Sequence, residues 1–152
     1  MRKFYTKEDV NKEKNKFLKD LGEAKNGINL ENHVHHLNDA VREEVAQHNI
    51  PHLLKKLVND SNPDVRTKVA QHNIPHLLEK LSNDPNNYVR REVAKHNIPH
   101  LLEKLSNDDK YWVREQVAKH KIPHLLEKLI NDPDKLVANK AKETLESMRA
   151  IK

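Results

Sequence analysis

The sequence predicts an all-α fold, a solenoid of short helix pairs that stack repeat upon repeat. Three observations predict it: a motif that returns every 24 residues, two apolar helical stripes in each copy, and loss of the motif at both ends. Residues 72–95 share 18 of 24 positions with residues 96–119, and residues 48–71 share 16 with residues 72–95. A fixed period of this length is typical of solenoids, in which each copy buries its apolar face against its neighbours.

The composition alone is lean for a domain with a central core. The 152 residues are 36% hydrophobic, 4% aromatic and 34% charged, with a mean hydropathy of −0.96. The apolar residues nevertheless recur at fixed offsets, so each short helix presents a stripe that can be buried. The presence of only 2 Gly argues further against a β-rich architecture.

The first helix of each repeat is predicted from its apolar spacing. In the copy that starts at residue 72, four residues follow the i, i+3, i+4, i+7 pattern of one helix face: Ile74, Leu77, Leu78 and Leu81. Asn73 is a suitable N-cap, and Pro75 belongs in the first turn, where its missing N–H costs nothing.

The second helix is shorter. Val89, Val93 and Ala94 share one face of a segment of about two turns, which is either an α-helix or partly a 3₁₀-helix. Helices of these lengths are marginal in water, so stacking on neighbouring copies must stabilise them.

The ends of the chain are expected to cap the array. A capping box over Thr6–Asp9, with a staple between Tyr5 and Val10, starts an N-terminal helix that Gly22 ends. Its predicted inward face is Val10, Phe17, Leu18 and Leu21. The C-terminal helix is predicted over 136–150, with an inward face of Val137, Ala141, Leu145 and Met148.

We therefore expect one solenoid domain over residues 1–152. Its parts are a capping helix (1–23), a degenerate repeat (24–47), repeats at 48–71, 72–95, 96–119 and 120–133, and a second cap (134–152).

The repeated residues resemble the leucine-rich repeat variant motif, a 24-residue relative of the HEAT repeat. The matching pattern is Asp84-Pro85, Val89-Arg90, Val93-Ala94, Pro99, Leu101-Leu102, Leu105 and Asp108, and the resemblance covers about residues 37–137. It implies a right-handed superhelix of alternating α- and 3₁₀-helices without β-sheet. A prototype of the family carries a cysteine-ligated iron–sulfur module, which does not carry over because this chain has no cysteine.

The formal charge of +5 is concentrated at the ends of the chain. Residues 1–26 carry +3 and residues 134–152 carry +2, while residues 27–133 hold 15 cationic and 15 anionic side chains. A neutral array argues against a nucleic-acid groove, which needs a basic stripe.

No cofactor is expected, since the chain lacks cysteine and has neither a glycine-rich phosphate loop nor a nucleophile motif. Without an apolar run of ~20 residues or a signal-peptide pattern, we expect a cytoplasmic protein with no membrane partner.

Eight of the 11 histidines form two columns with a 24-residue period: His48, His72, His96 and His120, then His52, His76, His100 and His124. The intervening proline separates the two histidines of each pair onto different helices. A role as caps or inter-repeat hydrogen-bond donors is therefore favoured over metal binding or a pH-sensitive role.

A column of arginines follows the core valines and has two interpretations. It either binds phosphate or pairs with the turn aspartates as a structural ladder, which is favoured because arginine and carboxylate pair in a bidentate way. The ladder residues are Asp60, Arg66, Asp84, Arg90, Asp108 and Arg114.

The aromatic side chains cluster on two adjacent repeats. They either pack between repeats or form a contact surface for a protein partner. The candidate contacts are Tyr88, Arg91, Tyr111, Trp112, Glu115 and Lys119.

The sequence thus predicts a non-enzymatic scaffold that binds a protein through repeat-variable positions. The alternative is a HEAT-like nucleic-acid binder, either DNA glycosylase-like or a simple DNA or RNA binder. The neutral array disfavours this alternative, and the basic ends and Trp112 keep it open.

Overall fold

The computed structural model describes residues 6–150, which hold eleven α-helices and no strand. The chain divides into two compact units, one reaching to Val69 and the other starting at Ala70. The all-α fold of repeated helix pairs predicted from the sequence is confirmed. The prediction of one continuous domain over residues 1–152 stays a prediction.

The first unit contains the N-terminal helix and the first repeats. Its helices are α1 (Lys7–Lys25), α2 (Leu30–His33), α3 (Asp39–Gln47), α4 (Pro51–Leu57) and α5 (Pro63–Ala70), whose last residue opens the second unit. α1 packs against α2 and α3, and α3 packs against α4.

The second unit contains the most regular repeats and the C-terminal helix. Its helices are α6 (Pro75–Leu81), α7 (Asn87–Val93), α8 (Pro99–Leu105), α9 (Tyr111–Val117), α10 (Pro123–Leu129) and α11 (Lys135–Arg149). The second helices of successive repeats are neighbours, since α7 packs against α9 and α9 against α11.

Leucines of the first helices and valines of the second helices form the core. Leu78, Leu102 and Leu126 are fully buried, as are Val89 and Val113. The predicted apolar faces of both repeat helices are therefore correct, apart from Ile74, which is half-buried.

Each first helix starts one residue later than predicted. Ile74, not Asn73, is the N-cap of α6, and no side chain caps it. The N–H of Ile74 donates to the carbonyl of His72 at 2.9 Å, so Asn73 lies in a tight turn before the helix. Pro75 then occupies the first turn as predicted, and the N–H of Leu77 donates to the carbonyl of Ile74 at 3.0 Å.

The second helices are α-helical rather than 3₁₀, although their last turns tighten. The N–H of Lys95 donates to the carbonyl of Glu92, and that of His96 to the carbonyl of Val93, both at 3.1 Å. Asparagine or aspartate caps most of them through a side-chain oxygen: Asn38, Asn62, Asn86 and Asp134. Lys110, the N-cap of α9, makes no such bond.

The N-terminal helix confirms one prediction and corrects two. The capping box between Thr6 and Asp9 is present, whereas Tyr5 of the predicted staple lies outside the described residues. Val10 and Leu18 of the predicted inward face are exposed. Gly22 does not end the helix, which continues to Lys25, because the left-handed residue is Gly27 at φ 71°.

The C-terminal helix runs from Lys135 to Arg149, close to the predicted bounds. Val137 and Ala141 are fully buried, while Leu145 and Met148 are half-buried. No helix within residues 6–150 combines the length and apolar character that a membrane span needs.

Candidate functional site

The candidate site is an aromatic surface on the second helices of the second unit. We define the aromatic surface as Tyr88 on α7, Tyr111 and Trp112 on α9, and Leu136 on α11. Tyr88, Trp112 and Leu136 occupy the same position in successive repeats, one residue before a buried valine.

Trp112 lies at the centre of this surface and is held on two sides. Its ring stacks on Tyr88 with the ring centroids 6.4 Å apart and the planes 17° from parallel. Tyr111 meets it edge to face, with the centroids 5.0 Å apart. The indole N–H donates to the side-chain oxygen of Asn87 at 3.0 Å, so the half-buried indole has its polar group satisfied.

The other members remain accessible. Tyr88 is 63% exposed, Leu136 is 57% exposed and Tyr111 is 36% exposed. Inter-repeat packing and exposure therefore coexist on this surface: Trp112 joins two repeats, while the side chains beside it face solvent.

Polar residues of α7 and α9, and those that directly follow each helix, are close to the aromatic surface in the sequence. Glu115 pairs with Lys119 at 3.4 Å, and Lys119 also donates to Gln116 at 3.1 Å. Arg91 is half-buried, and its Nε has no hydrogen-bond partner. Glu92 pairs with Lys95 at 2.6 Å. Lys95 and Lys119 are thus each balanced by a glutamate three or four residues earlier in the chain.

The arginine column joins one repeat to the next with a fixed geometry. The guanidinium of Arg90 donates to both carboxylate oxygens of Asp108 at 2.6 and 2.8 Å, and Arg114 makes the same pair with Asp132 at 2.7 and 2.8 Å. Arg42 pairs with Asp60 in the same way within the first unit. The carboxylate partner therefore lies 18 residues after the arginine, in the turn of the following repeat.

Each of these arginines also binds the turn of its own repeat. The guanidinium of Arg90 donates to the carbonyl of Asp84 at 2.9 Å, and Arg66 does the same to the carbonyl of Asp60 at 2.7 Å. This double engagement was not anticipated from the sequence, nor was the inclusion of Asp132. With its guanidinium directed to protein oxygens, Arg90 or Arg114 is a poor phosphate ligand.

Pairing in the ladder raises the pKa of the arginines and lowers the pKa of the aspartates. Hydrogen bonding to Asp132 raises the pKa of Arg114. Burial by itself raises the pKa of Asp132, but hydrogen bonds from Arg114 and from the N–H of Asp134 outweigh it, and the net pKa is lowered. The pKa of Asp60 is lowered by the same balance. The Arg42–Asp60 and Arg114–Asp132 pairs are thus ionised at neutral pH.

The first histidine column supplies hydrogen bonds to helix carbonyls. Nε2 of His96 lies 2.7 Å from the carbonyl oxygen of Ala70, and Nε2 of His120 lies 2.7 Å from that of Ala94. His48 makes the equivalent bond to Ala24 at 2.8 Å. A carbonyl oxygen only accepts, so Nε2 must be the donor, and this tautomer ties each histidine to the preceding repeat.

The second histidine column lies at the surface. His100 contacts Glu79 at 2.7 Å and His124 contacts Glu103 at 2.8 Å, with all four side chains exposed. His52 contacts Glu31 in the same manner. These are separate pairs between successive first helices, and they contribute little stability because water screens them.

Within residues 6–150, one group of three acidic or histidine side chains has the spacing of metal ligands: Asp20, Glu23 and His33 in the first unit. The 24-residue period does not predict this group, because its residues lie outside the repeated motif. A pair of carboxylates at i, i+3 and a pair of histidines at i, i+3 (His33 and His36) were the available signal.

Comparison with known proteins finds the fold but not a family model. No protein-family model matches the sequence, and no curated protein matches it either. A solved structure described as "a leucine-rich repeat variant with a novel repetitive protein structural motif" is similar, with a TM-score of 0.54 and 26% sequence identity. The match covers 77% of this chain and 61% of that chain, so this chain spans less than two thirds of that protein's length. The resemblance predicted from the repeat motif is confirmed: the protein is similar to the leucine-rich repeat variant in both its repeated motif and its fold.

Proposed function

We propose that the protein is a non-enzymatic repeat scaffold that binds a protein partner through the aromatic surface of its second unit. The observation that carries the proposal is the grouping of Tyr88, Tyr111 and Trp112 through ring contacts, with the exposed Leu136 at the equivalent position of the next repeat. Single exposed apolar residues are ordinary on protein surfaces, whereas contiguous ones are typical of binding sites.

The rigidity of the surface supports the same function. The two ring contacts and the hydrogen bond to Asn87 fix the orientation of Trp112 before any partner arrives. A pre-oriented aromatic side chain loses little conformational entropy on binding, and tryptophan and tyrosine are enriched among the residues that dominate binding energy. Arg91, Glu115 and Lys119 would then form the polar rim around these anchors.

The charges around the surface favour a protein over a nucleic acid. Lys95, Lys119 and Lys140 each pair with a glutamate three or four residues away in the chain. A phosphate backbone would have to displace these carboxylates, and the arginine ladder directs its cations to protein oxygens.

The test is affinity capture from an extract of the native host with paired variants. Tyr88→Ala combined with Leu136→Ala removes two exposed side chains of the aromatic surface. Ile28→Ala combined with Leu37→Ala removes two exposed apolar side chains from the first unit as a matched control. We expect proteins retained by the wild type and by the control to fall at least tenfold on the Tyr88→Ala/Leu136→Ala variant.

Helical circular dichroism establishes that both variants are folded. Equal capture by all three proteins contradicts the aromatic surface as the binding site. A parallel titration with duplex and single-stranded DNA at two salt concentrations addresses the alternative, because binding that weakens steeply with salt would identify a nucleic-acid ligand instead.

A further inference from the structure

Two carboxylates and two histidines meet in the first unit, outside the repeated motif. Asp20 and Glu23 are three residues apart on α1, so they lie on the same face of the helix. His33 is the last residue of α2, and His36 follows shortly after it.

The separations within this cluster suit a single metal ion. Nε2 of His33 lies 3.2 Å from Oε2 of Glu23, and one ligand atom from each of Asp20, Glu23 and His33 lies within 4.8 Å of the other two. Tetrahedral coordination with metal–ligand bonds of ~2.0–2.1 Å places ligand atoms about 3.3 Å apart. Small side-chain rotations therefore bring the three donors to coordination distance.

Contacts outside the three donors orient them. Asn29 donates to Oε2 of Glu23 at 3.0 Å, and Nε2 of His36 lies 3.1 Å from Oδ2 of Asp20. Hydrogen bonds of this kind, made to the groups that bind a metal, fix their rotamers and strengthen binding.

The three side chains are also buried to a degree that suits a binding site. His33 is only 6% exposed, and Asp20 and Glu23 are half-buried, which limits competition from water. A cavity of about 360 Å³ is lined by Phe17, Asp20 and His36, so the Asp20 side of the group is open to solvent.

We propose that Asp20, Glu23 and His33 bind a divalent transition-metal ion, with Zn²⁺ as the best chemical match, and that His36 positions Asp20. An imidazole nitrogen disfavours Ca²⁺ and Mg²⁺, which prefer oxygen ligands alone. Three protein ligands leave a fourth position for water, the arrangement of zinc sites that remain open to a further ligand.

The experiment titrates the full chain with ZnCl₂ in competition with a chromophoric chelator. We expect one ion per chain for the wild type and at least tenfold weaker binding for Glu23→Gln and for His33→Ala. His100→Ala combined with His124→Ala removes two exposed histidines of the second unit and serves as the control, with binding equal to the wild type. Glu23→Gln nearly preserves side-chain shape, so it remains informative if loss of the buried His33 disturbs folding.

Co²⁺ substitution reports the coordination directly. Visible absorption bands of tetrahedral Co²⁺ should appear with the wild type and disappear in Glu23→Gln. His36→Ala should weaken binding severalfold and shift these bands with unchanged circular dichroism, while His36→Gln, which restores a donor to Asp20, should recover both. Equal Zn²⁺ affinity of the wild type and Glu23→Gln, or an equal loss in the exposed-histidine control, overturns the proposal.

Discussion

The two units have the same internal framework but carry different side chains at one position next to the core. At the residue that precedes the buried valine of each second helix, the second unit carries Tyr88, Trp112 and Leu136, whereas the first unit carries Ala40 and Asp64. Both units nevertheless contain the same buried leucines and the same arginine–aspartate pairs. Packing constrains the interior positions, whereas the residue before the buried valine varies from repeat to repeat.

The first unit differs in a second respect, since its non-repeating segment brings together Asp20, Glu23 and His33. In each unit, the residues proposed to bind lie where the chain departs from its own repeat. The comparison can be tested at three levels: in the core that the units share, in the ladder that they share, and at a cap that distinguishes two repeats of the second unit.

The largest effect is expected in the shared core. Leu54→Ala in the first unit and Leu102→Ala in the second each empty a fully buried position, and each should cost about 2–5 kcal/mol of unfolding free energy. Urea denaturation followed by circular dichroism measures both. Similar losses would show that the units share one packing scheme, while a cost below about 1 kcal/mol for either leucine would contradict its assignment to the core.

The shared ladder should make stability depend on acid pH. Because the folded-state pKa of Asp60 and of Asp132 is lowered, each carboxylate stabilises the fold above its unfolded pKa of about 3.9. That contribution is lost as the pH falls through the lower folded pKa. Unfolding free energies measured at pH 7, 5 and 3 should therefore decline below about pH 4.

Asp132→Asn provides the matched comparison for the pH series. It should cost about 1–3 kcal/mol at pH 7, because Arg114 keeps a neutral partner in place of a charged one. Its stability should also vary less with acid pH than that of the wild type. A pH dependence identical to the wild type would place the acid-sensitive group elsewhere.

The smallest effect is expected at the helix that carries Trp112. Lys110 makes no side-chain cap on α9, whereas Asn86 accepts from the N–H of Tyr88 at 2.8 Å at the matching position of α7. Lys110→Asn should raise the unfolding free energy by about 1 kcal/mol. Thermal melting compares Lys110→Asn with Lys110→Ala, for which we expect no gain in stability. A similar gain in stability from both variants would mean that loss of the lysine charge, rather than capping, stabilises α9.

The features that depend on local periodicity could be predicted from the sequence. The leucine faces, the proline in the first turn and the capping box of Thr6 and Asp9 follow from spacing within one or two helical turns. Helix ends depend on competing local bonds, which explains why Ile74 replaces Asn73 as the N-cap and why α1 passes through Gly22. The tight-turn hydrogen bond of Ile74 and the left-handed Gly27 are not visible as patterns.

Contacts between elements were less accessible to sequence reasoning. The partner of Arg114 is 18 residues away, so its choice of Asp132 depends on how repeats stack rather than on the local turn. The grouping of Asp20 with His33 depends on how α1 meets α2, which the 24-residue period does not describe. The exposure of Leu136 beside a half-buried Trp112 likewise required the packed helices.

The separation of 18 residues between each arginine and its aspartate also affects how such a chain can lengthen. A duplicated copy of residues 96–119 would contain its own Asp108 and Arg114. Its aspartate would pair with the arginine of the preceding repeat, and its arginine would pair with the aspartate of the following repeat. Whole copies can therefore be inserted or deleted by recombination without leaving a charge unmatched, whereas a change of a few residues breaks the register. Gene duplication in steps of one repeat is the natural route by which this architecture grows.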